Sequence, residues 1–472
     1  MSEQLDLPPE RMRELGYQVV DLVVDHLTGL REQPVRTLAT PAELRDVLTE
    51  PVPEQPADPG ALVEFLAREV LPRSLRLGHP GCLAFIPSAG NFLGVLGDLL
   101  ASGFNVSPGA WPVGAGPAAV ELVTARWLAA LLGLPEGAGG VFTPGGTLAN
   151  LTALAAARDD RLGADTTGGV LYCSDQTHPA VLRACHVLGL RQEQVRILPE
   201  MTPRAVRVEV HADRAAGLRP FLVLANAGTT ATGAVDPLPG LAALCREERL
   251  WLHVDGAHGA AAALTDRGRE VLRGLAAADS VVIDPHKWLF QPYEIGCVLV
   301  RDPEVLRRAF TIDRFRAHGD YLAISRPAGA ETNLSDHGVQ FTTEARALKL
   351  WLSLKGFGVA AFRAAIDRGL DHAEHVARRV ADSPDLDLVT GPSLGIVCLR
   401  HRAGGDDVQA AICREINESG HTLVATTTVD GALALRLCTI NPRTTEADLD
   451  RVLAAIERAG RTASRARAAA ER

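Results

Sequence analysis

Lys287 is the residue whose chemistry stands out most plainly in this chain. Of the 48 lysines and arginines, only three are lysine: Lys287, Lys349 and Lys355. Arginine serves wherever charge alone is wanted, but its guanidinium is never usefully deprotonated and cannot form a Schiff base. Lys287 stands between His286 and Trp288, just past the apolar run Val281-Val282-Ile283. A lysine beside imidazole and indole rings at the end of a buried strand can lose its proton and attack a carbonyl.

Four other places could serve the same chemistry. Thr143-Pro144-Gly145-Gly146-Thr147 joins an apolar strand to a helix. Paired glycines let backbone approach a ligand, and the helix start offers free N–H groups, so the turn has the form of a phosphate cradle. Its spacing matches neither a P-loop nor a dinucleotide fingerprint. Asp255 ends Leu252-His253-Val254-Asp255, where a carboxylate could keep a pyridine nitrogen protonated or merely cap a turn. His178 lies just past a strand, and Thr229 and Thr230 follow Gly228 after another. Each has a plainer structural role available. His253 and His258, five apart across a strand end, make a poor metal site.

The elements that must hold these residues alternate. Short apolar strands are expected at 140–143, 169–174, 220–227, 250–254 and 280–283, with a helix over 148–158. That pattern predicts an α/β fold with a mostly parallel sheet covered on both faces. Ligands in such sheets sit beyond the carboxyl ends of the strands, where all five places fall. Three stretches are expected: an N-terminal helical segment (1–78), a large domain (79–360) and a small C-terminal α/β domain (361–472) with strands at 394–400 and 432–438. The first has helical patterning over 11–30 and 60–70 and no sheet of its own, so it must dock on something larger. Residues 316–340 lack periodicity and read as a long loop.

Composition narrows the function. A net charge of −9 with scattered arginines argues against a nucleic-acid partner and a membrane surface. No apolar run reaches the ~18 residues of a membrane span. Residues Met1 to Pro8 hold acids and no apolar core, so no signal peptide is expected. Eight cysteines without metal-site spacing read as reduced core residues of a cytoplasmic protein.

Taken together, the sequence resembles the group II pyridoxal-phosphate-dependent amino acid decarboxylases, the family of aromatic-amino-acid, histidine and glutamate decarboxylases. The likeness is carried by His79-Pro80-Gly81 through Phe85-Ile86-Pro87-Ser88, by the Gly-Gly-Thr cradle and by His253-Val254-Asp255-Gly256-Ala257. Asp284-Pro285-His286-Lys287-Trp288, Arg346-Ala347-Leu348-Lys349-Leu350-Trp351 and Arg436-Leu437-Cys438-Thr439-Ile440-Asn441-Pro442-Arg443 extend it. It implies a fold-type I homodimer with active sites near the subunit interface, using pyridoxal 5'-phosphate to decarboxylate an L-amino acid. Lys287 is then the Schiff-base lysine, Asp255 the partner of the pyridine nitrogen, and His178 and Ala257 the groups on the two ring faces. Gly146, Thr147, Asp284 and His286 would surround the phosphate, and Thr230 would lie near the ring substituents or Lys287. Phe85 and Ser88 would line the substrate pocket, and Phe85 with Trp111 suits an aromatic or apolar side chain. No basic cluster awaits a second carboxylate, which disfavours glutamate and aspartate.

One departure bears on the product. Family members carry a loop tyrosine, in an Asp-Tyr context, that protonates the substrate carbon. Here the stretch reads Ser335-Asp336-His337-Gly338-Val339-Gln340, with His337 at the expected place and Thr343 where an arginine is common. Tyr17, Tyr172, Tyr293 and Tyr321 lie elsewhere. Either His337 donates the proton, or the reaction follows related enzymes without the tyrosine, which release aldehyde, ammonia and peroxide. A protein that keeps the fold only as a binding partner would have no use for Lys287, Asp255 and His178 together.

Overall fold

Six of the seven strands in the larger sheet run the same way, and this brings the candidate residues to one rim. The computed structural model describes residues 5–87, 89–311 and 331–470. The strands are β1 (Gly139–Thr143), β2 (Gly169–Ser174), β3 (Val195–Leu198), β4 (Arg219–Asn226), β5 (Trp251–Asp255), β6 (Ser280–Ile283) and β7 (Gly296–Val300), in the order β1-β7-β6-β5-β4-β2-β3. Only β7 is reversed, pairing antiparallel with both β1 and β6.

Every residue of β2, β5, β6 and β7 is buried, as expected of strands covered on both faces. Alternate residues feed two cores. Leu222 and Leu224 face one, with the helix Gly145–Leu162, whose Ala149, Ala153, Ala156 and Ala157 permit close approach to the sheet. Val223, Ala225, Leu252 and Val254 face the other, against Leu128, Leu241 and Leu244. Burial of each such leucine contributes about 1.5–3 kcal/mol.

A second sheet follows, wholly antiparallel: β8 (Leu386–Ser393), β9 (Ile396–His401), β10 (Ala425–Val429) and β11 (Ala432–Cys438), ordered β10-β11-β9-β8. Val376, Ile412 and Ile456 from three helices close over its Leu399 and Leu437.

Four strands are additional to those the sequence pattern suggests. β3, β8 and β10 are mixed in burial, being edge strands without a continuous apolar run. β7 is fully buried, but it follows the irregular segment 284–295 too closely to read as another strand-helix unit. Of the expected loop, residues 331–340 are described and contain a 3-10 turn at Leu334–His337. At the N-terminus the helix Pro9–Thr28 buries no residue, with Tyr17 68% exposed. Among the described residues no helix is long and apolar enough to cross a membrane.

Candidate active site

The carboxyl ends of β1, β2, β4, β5 and β6 open onto a cavity of about 420 Å3. On its β1 side the chain turns sharply into the helix Gly145–Leu162. Gly145 has φ +77°, and a Cβ on Gly146 would stand 2.7 Å from Asp284 Oδ2. Only glycine fits both demands. The turn leaves Gly146 and Thr147 facing the cavity beside unpaired helix-start N–H groups.

Opposite stands Asp255, nearly buried at the end of β5. Its Oδ1 accepts from the Ala257 N–H at 3.1 Å and its Oδ2 from Asn150 at 3.2 Å. Lys287 reaches in between these walls, Nζ 3.1 Å from Asp284 Oδ2. Burial is the largest influence on Lys287 and acts to lower its pKa. The carboxylates of Asp284 and Asp255 nonetheless leave it above the ordinary lysine value. Two acids outweigh desolvation, and the ammonium form is the favoured one in the chain alone.

Asp284 lies against the Gly146 turn, where the phosphate was expected. Its carboxylate repels an anion, so it neighbours the cradle without donating to it. His286 is anchored through Nδ1 to the Ile295 carbonyl at 2.7 Å, and its ring meets the edge of Tyr293 at 4.9 Å. His178 caps the helix Pro179–Val187, its Nδ1 accepting from Ala180 N–H at 3.2 Å. Burial, then the charge of Lys287, lowers its pKa, so a neutral ring with Nε2–H faces the cavity. Ala257 and Thr230 complete the set that the sequence brought to this cavity.

Three expected residues stand apart. Ser88 lies outside the described residues. Phe85 is not among the residues lining the cavity and is 61% exposed. It is tied to the rim through Arg436, which donates to Phe85 O at 2.7 Å and to Thr230 O at 2.8 Å. His337, the candidate proton donor, is not among the residues lining the cavity. It is buried, held to Asn333 O at 3.1 Å through Nδ1, with the helix Glu304–Phe310 packed against its turn. β1 is an edge strand, and the segment around His337 lies against it, with Gly338 beside Val141.

Residues that sequence reasoning passed over also line the cavity. Asn150 follows the Gly-Gly turn by one helical turn, a spacing that could have been noticed. His258 stacks on buried Trp288 at 5.3 Å and 9° and donates to Leu394 O through Nε2, leaving a buried Nδ1 without a partner. Tyr293 and Glu294 come from the strap between β6 and β7. Buried Lys349 holds that strap by donating to Pro292 O at 3.3 Å and Glu294 O at 3.4 Å.

A phosphorylated pyridine aldehyde needs N–H donors for phosphate, an acceptor for its ring nitrogen, flat contacts and a primary amine. Gly146 with Thr147, Asp255, Ala257 with His178, and Lys287 could supply these in turn. The buried Nδ1 of His258 and Oδ1 of Asp284, both without protein partners, add polar atoms to the cavity wall.

Comparison with known proteins points the same way. Residues 41–402 match the pyridoxal-dependent decarboxylase conserved domain. The chain is 43% identical over 470 residues to an aromatic-L-amino-acid decarboxylase of Bacillus atrophaeus, covering 97% of each. It is 28% identical to a phenylacetaldehyde synthase of Petunia hybrida, covering 94% of this chain and 93% of that one. A crystal structure of Oryza sativa TDC with PLP and tryptamine superposes with a TM-score of 0.91 at 27% identity, over 98% of this chain and 99% of that chain. Lys287, Asp255 and the Gly-Gly-Thr turn thus meet in a chain that belongs to the pyridoxal-dependent decarboxylase family and uses pyridoxal 5'-phosphate as its cofactor.

Proposed function

We propose that this enzyme removes the carboxylate of an aromatic or apolar L-amino acid as carbon dioxide and releases the amine. The observation that carries the substrate class is the cavity's charge. Among its described lining residues Lys287 is the one lysine or arginine, so a second, side-chain carboxylate finds no cation. When bound, the cofactor supplies an electron sink for the bond to the lost carboxylate.

The chain's own residues do the rest. Gly146, Thr147 and the helix start hold the phosphate end, and His286 braces the neighbouring wall. Asp255 would accept from the ring nitrogen and keep its proton there. His178 and Ala257 would confine the ring between them. Lys287 would be the attachment point, and its free amine could carry a proton within the cavity. Phe85 and Trp111 are proposed on the substrate side of the rim.

Two copies of the chain are proposed to act together. The unburied helix Pro9–Thr28 and the exposed Leu62, Leu66, Leu99, Leu100 and Phe104 supply apolar surface for a second copy. The cytoplasm is the proposed compartment, since all eight cysteines are free thiols.

A second outcome is favoured by one observation: the cavity holds no residue from the 331–340 segment, so His337 is not placed to return a proton to carbon. In that reading amino acid, oxygen and water give aldehyde, carbon dioxide, ammonia and hydrogen peroxide. Product analysis with a panel of amino acids, in air and without oxygen, separates the two. Amine without peroxide in both conditions supports the decarboxylase; aldehyde and peroxide only in air support the oxidative reaction. Turnover of glutamate alone would overturn the substrate class.

A further inference from the structure

Trp251, His253 and Asp255 alternate along β5, so their side chains share one face. Ser280 of β6 is the register partner of His253. Asn150 lies one turn after Gly146 on the helix that packs over this face. These placements join five side chains end to end. Trp251 Nε1 donates to Ser280 Oγ at 2.8 Å, and Ser280 Oγ lies 2.7 Å from His253 Nδ1. His253 Nε2 lies 2.8 Å from Asn150 Oδ1, and Asn150 Nδ2 donates to Asp255 Oδ2 at 3.2 Å and to Gly146 O at 3.0 Å.

We propose that His253 is a positioning residue for Asp255, because this chain of hydrogen bonds has a single polarity that presents Asp255 to the cofactor as an acceptor. Both ends fix the direction. The indole N–H can only donate, so Ser280 turns its own proton to His253 Nδ1. The Gly146 carbonyl can only accept, so the Asn150 amide must point its NH2 toward Gly146 and Asp255. Its oxygen is then left to receive His253 Nε2–H. One tautomer of one fully buried ring satisfies every bond. Burial holds that ring neutral, with a pKa lowered to about 4, so it does not acquire a second N–H. The same Asn150 amide touches the phosphate cradle and the carboxylate, and so sets the two ends of the cofactor relative to each other.

This rests on the decarboxylase reading, and the test separates the two. In protein without added cofactor, 15N NMR of the histidine rings should show, beside that of His258, a ring locked as the Nε2–H tautomer and not titrating between pH 5 and 8. The signal should disappear in His253→Phe. That variant should bind pyridoxal phosphate about tenfold more weakly or worse, the loss of one hydrogen bond supporting a charged group. Its kcat should fall more than its KM rises, and the 15N shift of the bound ring nitrogen should move. His253→Gln, which keeps a donor for Asn150, should recover most of the affinity.

Should His253→Phe fail to fold, Ser280→Ala removes the donor to Nδ1 and the acceptor of Trp251 Nε1–H. Asn150 still requires Nε2–H, so that tautomer should persist, with a smaller loss of affinity than in His253→Phe. A His253→Phe enzyme with wild-type affinity and ring-nitrogen shift overturns the proposal, as does a His253 ring found as the Nδ1–H tautomer in the wild-type protein. Wild-type protein that takes up no pyridoxal phosphate defeats the decarboxylase reading instead, whatever the tautomer.

Discussion

Lys287 and Asp284 are three residues apart on the turn after β6, and their side chains form an ion pair at 3.1 Å. The nucleophilic amine is thus stored as an ammonium. Its raised pKa in the fold means that this ion pair contributes stability throughout the range below the ordinary lysine value, and loses it as pH rises through the folded value.

The first prediction concerns Asp284→Asn. Burial would then act on Lys287 with one opposing carboxylate fewer, and its pKa should fall. Covalent capture of pyridoxal phosphate by the apoprotein, followed by rapid-mixing absorbance, should reach its half-maximal rate at lower pH than in the wild type. An unchanged pH profile would show that Asp284 does not govern the amine.

Glu121 gives a second prediction, a stability that also falls as pH rises but in a lower range. It is 2% exposed beneath β1, accepts from Phe142 N–H at 3.1 Å, and is raised by burial to about 7. An acid whose folded pKa exceeds its unfolded value holds its proton in the fold while the unfolded chain has lost it. Stability therefore falls as pH rises from the ordinary glutamate range through 7, by up to roughly 3 kcal/mol. Glu121→Gln keeps an acceptor for Phe142 and removes the charge. Thermal melts should show little difference at pH 5 and a more stable variant at pH 8.

His337→Gln should leave turnover within about threefold, whereas loss of a general acid would cost on the order of a hundredfold or more. The ring is buried and bonded to its own turn. Steady-state rates at saturating substrate decide this.

Arg436→Lys should raise KM by about tenfold with a smaller change in kcat, since an ammonium cannot span the carbonyls of Phe85 and Thr230 as a guanidinium fork does. Equal losses in folding and in activity would make Arg436 merely structural.

Much of the site was legible because strand-end chemistry is local. His286-Lys287, Asp255 and Gly145-Gly146 each sit next to an apolar run that fixes their place on the rim. What stayed hidden depends on pairing between distant segments. Asn150 becomes informative only when its helix is laid across β5, and Tyr293 only when β7 turns back along β6. The surroundings of His337 stayed hidden for the same reason: its neighbours in sequence are polar and irregular, and only the packing of its turn against β1 and the helix Glu304–Phe310 shows that the ring is buried. For Lys287 the sequence shows the flanking rings but not the carboxylates of Asp284 and Asp255 that act on it in space.

The scarcity of lysine has a practical side once the three are placed. Lys349 is buried under the strap, Lys355 is exposed on the helix Ala347–Phe357, and Lys287 opens only into the cavity. An amine-directed reagent small enough to enter therefore meets one protected lysine, one surface lysine that serves as an internal standard, and one whose labelling competes with the cofactor. A single peptide map would report how fully the cavity is filled, residue by residue, without any introduced tag.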